Sequence, residues 1–222
     1  MLDNYSRQLS VFQPLRFDKT VDVIGAGATG SHLVYILAKM GVQKIRVFDF
    51  DVIEDHNLPN QMFRVTDIGR PKVEALAEVI KQFTNIDIEP VNLRVEAGID
   101  YLPANIVFIL TDTMASRKEI FDNFLKLQFG VNLVIETRMG ADNGRVYAFS
   151  PTIIAQIAEW EKTLYDDKVA EVSLCGTSVS VAATALNVAS LAVWQMLVFA
   201  KGEKPVFETI YGIVPLVSLN RP

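Results

Sequence analysis

Residues 20–51 restrict the chain to a narrow set of folds. The run Thr-Val-Asp-Val-Ile at 20–24 is β-branched and suits a buried strand. It leads directly into Gly25-Ala26-Gly27-Ala28-Thr29-Gly30, with glycine at each fixed position of G-x-G-x-x-G. In such a loop Gly25 allows a tight turn, Gly27 lets a phosphate approach the backbone, and Gly30 lets the next helix pack close. Residues 31–40 read as that helix, with Leu33, Ile36, Leu37 and Met40 on one face and Gly41 placed to end it. A phosphate would sit at its N-terminus, where free N–H groups and the helix dipole favour negative charge. Residues 44–48 form a second strand, and Asp49 follows the loop by about 20 residues, the separation at which a carboxylate meets a ribose. A strand–loop–helix–strand unit predicts a parallel sheet flanked by helices.

The loop does not choose between NAD and ATP, but the residues after it are more informative. A dehydrogenase needs one carboxylate after the second strand. This chain has Asp49 and Asp51, then a polar stretch, then Gly69-Arg70-Pro71-Lys72. Lys72 opens a helix over 72–83, apolar at Val73, Leu76, Val79, Ile80 and Phe83, and a lysine there reaches a phosphate as a point charge. Residues 106–110 read as another buried strand, with Thr111 and Asp112 just past its C-terminal end. Ligands of open α/β sheets bind in that crevice. Asp112 is therefore either a Mg²⁺ ligand facing a triphosphate or an N-cap for a helix over 116–129.

Taken together, Tyr5-Ser6-Arg7-Gln8, the glycine loop, Asp49-Phe50-Asp51, Asn57 with Gln61, Asp67-Ile68-Gly69-Arg70-Pro71-Lys72 and Thr111-Asp112 with Arg117 resemble the ThiF/MoeB/HesA family. These are bacterial relatives of ubiquitin-activating enzymes, and the resemblance runs from about residue 5 to about residue 201. It implies a Rossmann-like, mostly parallel sheet with an antiparallel C-terminal extension, in a single adenylation domain over 1–222. It also implies ATP and Mg²⁺ as cofactors, and a small ubiquitin-like or sulfur-carrier protein ending in Gly-Gly as the partner whose terminal carboxylate is adenylated. By the same resemblance Asp49 holds the ribose, Lys72 holds phosphate, Asp112 binds Mg²⁺, and Asn57 and Gln61 line the phosphate site. Arg7 reaches across a homodimer interface into the neighbour's ATP.

The chain departs from the family pattern at three places. Asn60 stands where the family has arginine, and a neutral amide does not replace a guanidinium on a triphosphate. Arg64 is the residue nearest at hand to compensate. Cys175 is the chain's single cysteine, so a four-thiolate zinc site is excluded. The third departure is the end at Pro222, past which no rhodanese-like, ubiquitin-fold or catalytic-cysteine domain is expected. Cys175 is either a thioester-forming thiol or a small residue near a helix start, the second being the expectation. His32 is expected to pack or to face solvent, and His56 lies in the polar loop; the two are not spaced for a metal site.

Net charge of −5 argues against a general nucleic-acid binder and suits a partner with a basic patch. One cysteine and an N-terminus without an apolar signal run point to a reducing, cytoplasmic setting. Residues 179–200 carry no charge and are long enough to span a bilayer. The interspersed Ser180, Thr184, Asn187, Ser190 and Gln195, and the abundant alanine, favour a buried helix instead. Further strands are expected at 132–137, 144–149, 206–209 and 212–217, and a helix or crossover at 154–165. Mobile loops are expected at 138–144 and 166–173, forming a channel for a partner's tail. Three function classes follow: an adenylyltransferase, a binding homologue without turnover, and an NAD(P)-dependent oxidoreductase. The last leaves Lys72, Asp112 and Arg7 without roles.

Overall fold

The computed structural model describes residues 2–169 and 180–221. Cys175 and the second half of the 166–173 loop lie outside the described residues. The strands are β1 (Val21–Ile24), β2 (Ile45–Phe48), β3 (Glu89–Val91), β4 (Ile106–Ile109), β5 (Leu133–Met139), β6 (Asn143–Phe149), β7 (Glu208–Gly212) and β8 (Val217–Arg221). The helices are α1 (Ala28–Lys39), α2 (Lys72–Thr84), α3 (Met114–Ile120), α4 (Ile154–Glu161) and α5 (Ala182–Ala200). One eight-stranded sheet runs in the order β3-β2-β1-β4-β5-β6-β7-β8. The first five strands pair in parallel and the last three antiparallel. The expected Rossmann-like sheet with an antiparallel C-terminal extension is the one observed.

The two halves differ because of what covers them. β1 and β4 are buried along their whole length, as strands with helices on both faces must be. The one polar residue in β1, Asp22, is fully buried and fully satisfied. It accepts two bonds from Arg46, at 2.7 and 2.8 Å, one from the Tyr101 hydroxyl at 2.7 Å and one from the Ala104 N–H at 2.9 Å. On one face Leu33, Leu37, Leu76, Val188, Ala192 and Met196 of α1, α2 and α5 pack onto Val21, Val23, Phe108 and Ile135. On the other, Ile120, Phe121, Leu125, Ile157 and Trp160 pack onto Val107, Ile109, Val134 and Phe149. Helix α5 is long and apolar enough to cross a bilayer by length and composition. It lies against α1 and the β5–β6 pair.

Two expected elements shift, and a third was not expected. The helix expected over 116–129 begins at Met114, is capped by Thr113 and ends in a wide π turn at Phe121–Leu125. Of the strand expected over 212–217, residues 213–216 form the turn between β7 and β8, and the closing strand is Val217–Arg221. The apolar run Ile213-Val214-Pro215-Leu216 imitates a strand, but Pro215 has no N–H to give to a ladder. The third, β3, is a three-residue edge strand containing Pro90, too short and too polar to show a periodic signal.

Trp160 joins the two layers on the second face. Its ring stacks on Phe149 and meets Phe121, with centroids 5.4 and 4.6 Å away, and its Nε1–H donates to Glu136 at 3.2 Å. Trp160→Ala should lower unfolding free energy by about 3–5 kcal/mol, the usual range for a buried tryptophan. Urea unfolding measures this as a midpoint shift, and a loss below ~1 kcal/mol would show that the site collapses onto the cavity.

Candidate functional site

The sheet order reverses between β1 and β4, since β2 lies on one side of β1 and β4 on the other. The loops after both strands flank the crevice this creates. Gly25 has φ +105°, and a Cβ there would lie 2.8 Å from the Leu110 carbonyl oxygen on the neighbouring loop. A Cβ on Gly30 would lie 1.9 Å from the Gly25 carbonyl oxygen, so α1 can start where it does only without a side chain. A Cβ on Gly27 would meet nothing within 4 Å, because that residue faces the open crevice.

The first turn of α1 also fixes the loop opposite. Ser31 Oγ accepts from the Met62 N–H at 3.1 Å, and His32 Nε2 lies 3.1 Å from the Asn60 carbonyl oxygen. Burial lowers the His32 pKa, so the neutral ring donates Nε2–H to that carbonyl. His32 is thus buried packing with a specific tether. Asn57 is buried, and its Oδ1 accepts from the Glu54 N–H at 2.9 Å, which fixes the turn it stands in. Asn60 Oδ1 and Gln61 Oε1 are buried and have no partner among the described residues. Both residues line the crevice, so the loop carries hydrogen-bonding capacity that a ligand can use.

Asp49 closes the other side. Its carboxylate accepts from the Ala26 N–H at 2.6 Å and the Asp51 N–H at 2.9 Å, tying the end of β2 to the glycine loop. Burial pushes its pKa up, and the Lys72 charge and the two N–H bonds offset this only in part. Lys72 is placed by a short antiparallel clamp. The Ile53 N–H donates to the Arg70 carbonyl and the Lys72 N–H to the Asp51 carbonyl, each at 2.9 Å, around a Val52–Pro71 bridge. The buried ammonium of Lys72 pairs with Asp51 at 2.7 Å.

The structure resolves the open question about Arg64. Its guanidinium grips the buried Asp67 through two 2.8 Å bonds and also meets Glu78, which Arg70 holds in turn. Arg64 is therefore a brace for the loop before α2 and does not line the crevice. Asp112 is not the cap of α3, since Thr113 Oγ1 accepts from the Ser116 N–H. It is exposed beside the crevice instead. Gly25, Gly27, Asp49, Asp51, Asn57, Gln61, Lys72 and Asp112 all line one cavity of about 1240 Å³, above the usual span for a single small-molecule pocket. Gly30 lies behind the loop. Arg7 does not line the cavity. It is exposed in the helical turn Leu2–Gln8, which docks on the far end of α1 through a 2.7 Å bond from Gln8 Nε2 to the Met40 carbonyl. At 1.5 Å per residue α1 separates Arg7 from its own glycine loop by ~18 Å. Among the described residues, no three His, Cys, Asp or Glu side chains cluster as a metal site.

Two features were not read from the sequence. Arg94, on the loop after β3, lies over the Phe50 ring, 5.1 Å from its centroid, on the cavity wall. Deeper in, the fully buried Glu136 holds Arg117 at 3.0 Å and Arg138 at 2.9 Å. The signal for this pair was present in Glu136-Thr137-Arg138, because residues two apart in a strand share a face.

A family model described as ThiF family matches residues 5–215. The NEDD8-activating enzyme E1 catalytic subunit of Arabidopsis thaliana is 38% identical over 102 residues, covering 44% of this chain and 22% of that protein. The probable adenylyltransferase/sulfurtransferase MoeZ of Mycobacterium tuberculosis is 30% identical over 105 residues, covering 45% of this chain and 27% of that protein. The chain thus matches about a quarter of the length of these relatives. Among solved structures, PaaA superimposes with a TM-score of 0.74 at 18% identity, covering 99% of this chain and 82% of that one. Escherichia coli MccB with ATP superimposes at 0.72 and 18% identity, covering 99% and 71%. At that identity the likeness is one of fold.

The glycines make separable predictions. Gly30→Ala should destabilise the protein by about 1–3 kcal/mol, since the Gly25 carbonyl must move. Gly27→Ala should leave the melting temperature unchanged and weaken binding of a non-hydrolysable ATP analogue in calorimetric titration. Equal affinity for that analogue in Gly27→Ala would remove the loop from the nucleotide site.

Proposed function

The chain belongs to the ThiF family, and from that premise we propose that it adenylates the C-terminal carboxylate of a ubiquitin-like or sulfur-carrier polypeptide with ATP. The observation that carries this reading is the convergence of the open glycine loop, Asp49, Lys72 and Asp112 on one cavity. The residues present suit a nucleotide. Gly27 leaves room for phosphate against the backbone, and the Asn60 and Gln61 side-chain oxygens are acceptors without a partner among the described residues, open to a donor of the nucleotide or its hydration shell. Asp49 stands at the end of β2 beside the glycine loop with its carboxylate oxygens on the cavity wall, which suits the hydroxyls of a ribose. One exposed carboxylate at Asp112 suits Mg²⁺, which takes one or two protein ligands and completes its shell with water and phosphate oxygens. When bound, Mg²⁺ would spread the charge of the phosphates.

The chemistry proposed needs no protein nucleophile. The carrier's carboxylate oxygen forms a bond to the α-phosphorus as the bond to the departing pyrophosphate breaks. Lys72 would exchange its Asp51 partner for phosphate oxygens and stabilise the charge that develops there. Asp49 would orient the ribose, and Asn57 and Gln61 would shape the phosphate end. Arg7 is too far from its own site to act there, which supports its serving a second copy in a homodimer. A second reading, a homologue that binds but does not turn over, is favoured by one observation. Asn60 replaces a cation and Arg64 is engaged elsewhere, so Lys72 is the principal phosphate cation in this part of the cavity.

ATP–pyrophosphate exchange with carrier proteins ending in Gly-Gly separates these readings. Lys72→Ala and Asp112→Ala should each reduce exchange by roughly 100-fold or more, the scale of losing one charge-stabilising group. Unchanged exchange in both variants would overturn the assignment, and nucleotide binding without exchange in the wild type would favour the second reading. The ribose assignment has its own check. A dideoxy-ATP lacking both hydroxyls should bind roughly 10–100-fold more weakly than ATP, the worth of hydrogen bonds to a charged group. Equal affinity would free Asp49 from that role.

A further inference from the structure

The cavity continues past the nucleotide end along the antiparallel half of the sheet, where it is lined by Arg138, Gly140, Asn143, Arg145 and Tyr165. The strand register places a charged array on this one face. Arg138 of β5 lies directly opposite Arg145 of β6, and Glu136 lies opposite Tyr147. Tyr147 pairs in turn with Glu208 of β7, and Glu208 with Arg221 of β8. Like charges directly opposite in an antiparallel pair oppose folding. They are held here by two buried carboxylates. Glu136 takes Arg117 and Arg138. Glu208 takes Arg145 at 2.9 Å, Arg221 at 3.2 Å and the Tyr147 hydroxyl at 2.8 Å. Three strand guanidinium groups, with the buried Arg117 of α3 behind them, therefore share two carboxylates, and the strand face keeps a positive surplus in a chain whose net charge is −5.

The members of the array differ in what they have left to offer. Arg138 is consumed by the fold. It donates to Glu136, to the Thr163 carbonyl at 2.6 Å and to Thr163 Oγ1 at 2.8 Å, and it lies over the Tyr147 ring. Arg145 and Arg221 are 48% and 68% exposed, and among the described residues each has only Glu208 as an acidic partner. Both present remaining donors to solvent, one at the cavity mouth and one on the strand at the sheet's edge.

We infer that this face, from the cavity mouth at Arg145 to Arg221 on β8, receives an acidic polypeptide tail whose carboxyl end leads into the nucleotide cavity. The inference rests on the adenylation reading for what happens at the inner end, and on charge complementarity for the outer one. It reverses the expectation from net charge, which pointed to a basic partner. The chain is acidic as a whole, but the route to its site is cationic.

The test uses the full chain and two fluorescein-labelled ten-residue peptides, both ending in Gly-Gly, one with two glutamates upstream and one with two lysines. Fluorescence anisotropy reads binding without turnover. The acidic peptide should bind roughly 10-fold more tightly at low salt, with the advantage shrinking at high salt because exposed charges are screened. Arg145→Glu and Arg221→Glu should each reduce or reverse the preference, with melting temperature confirming that the variants fold. If either reversal unfolds, Arg145→Gln and Arg221→Gln should still lower it. Equal affinity for the two peptides, binding of neither, or a preference untouched by every variant would overturn the proposal. Exchange assays on the same peptides keep the two readings apart. Acidic-selective binding without exchange sinks adenylation and leaves this inference standing. Exchange with equal half-saturation for both peptides does the opposite.

Discussion

The contact between Gly30 and the Gly25 carbonyl sets the position of everything around the cavity. It lets α1 begin closer to the sheet than any side chain would permit. From that position Ser31 and His32 reach across and fix the backbone of residues 60–62, so the loop that closes the cavity is tied to the loop that opens it. Asp49 ties the third corner by accepting the Ala26 N–H. Three segments distant in sequence thus become one rigid rim through backbone hydrogen bonds to three side chains. The rim is formed before any ligand arrives, which is the arrangement that limits the entropy lost on binding.

The Asp51–Lys72 pair is held from one side only, since Asp51 is half exposed while Lys72 is buried. A buried ammonium needs an anion, and Asp51 supplies it. The clamp of residues 51–53 against 69–72 keeps the lysine stem in place through main-chain bonds, whichever anion its head is paired with. The Arg64–Asp67–Arg70–Glu78 cluster holds the same loop from outside. Two of the four residues in Asp67-Ile68-Gly69-Arg70 therefore serve position, not chemistry.

Much of this was legible in the sequence wherever one element could be read alone. The strand, glycine loop and helix carry local signals, and residues 21–48 fold as their pattern indicates. Asp49 and Asp112 were singled out because each follows a strand end, and Lys72 because it opens a helix. What stayed hidden depends on who meets whom. Arg64 is near Asn60 in sequence, yet its partners Asp67 and Glu78 sit on the opposite side of the loop. Asp112 and Thr113 are both able to cap α3, and only the backbone angles decide between them. The apolar run at 213–216 has the composition of a strand, but its proline has no donor. The four-arginine array cannot be read from any window, because strand register across β5 to β8 assembles three of its members and α3 brings the fourth, Arg117. The N-terminal motif had a visible pattern, but its structural role emerges only in three dimensions, where Gln8 binds the Met40 carbonyl and Gly41 leaves room for the Tyr5 ring.

The two ends of the sheet are finished differently. At one end β3 is three residues long and carries Pro90, which removes a main-chain donor and blunts the edge. At the other, β8 is five residues long, lacks proline and is exposed throughout. Among the described residues the two edges therefore differ in what they offer: the β3 side presents a short ladder broken at Pro90, and the β8 side a five-residue ladder without proline, the kind of edge on which an added strand finds a full set of main-chain partners.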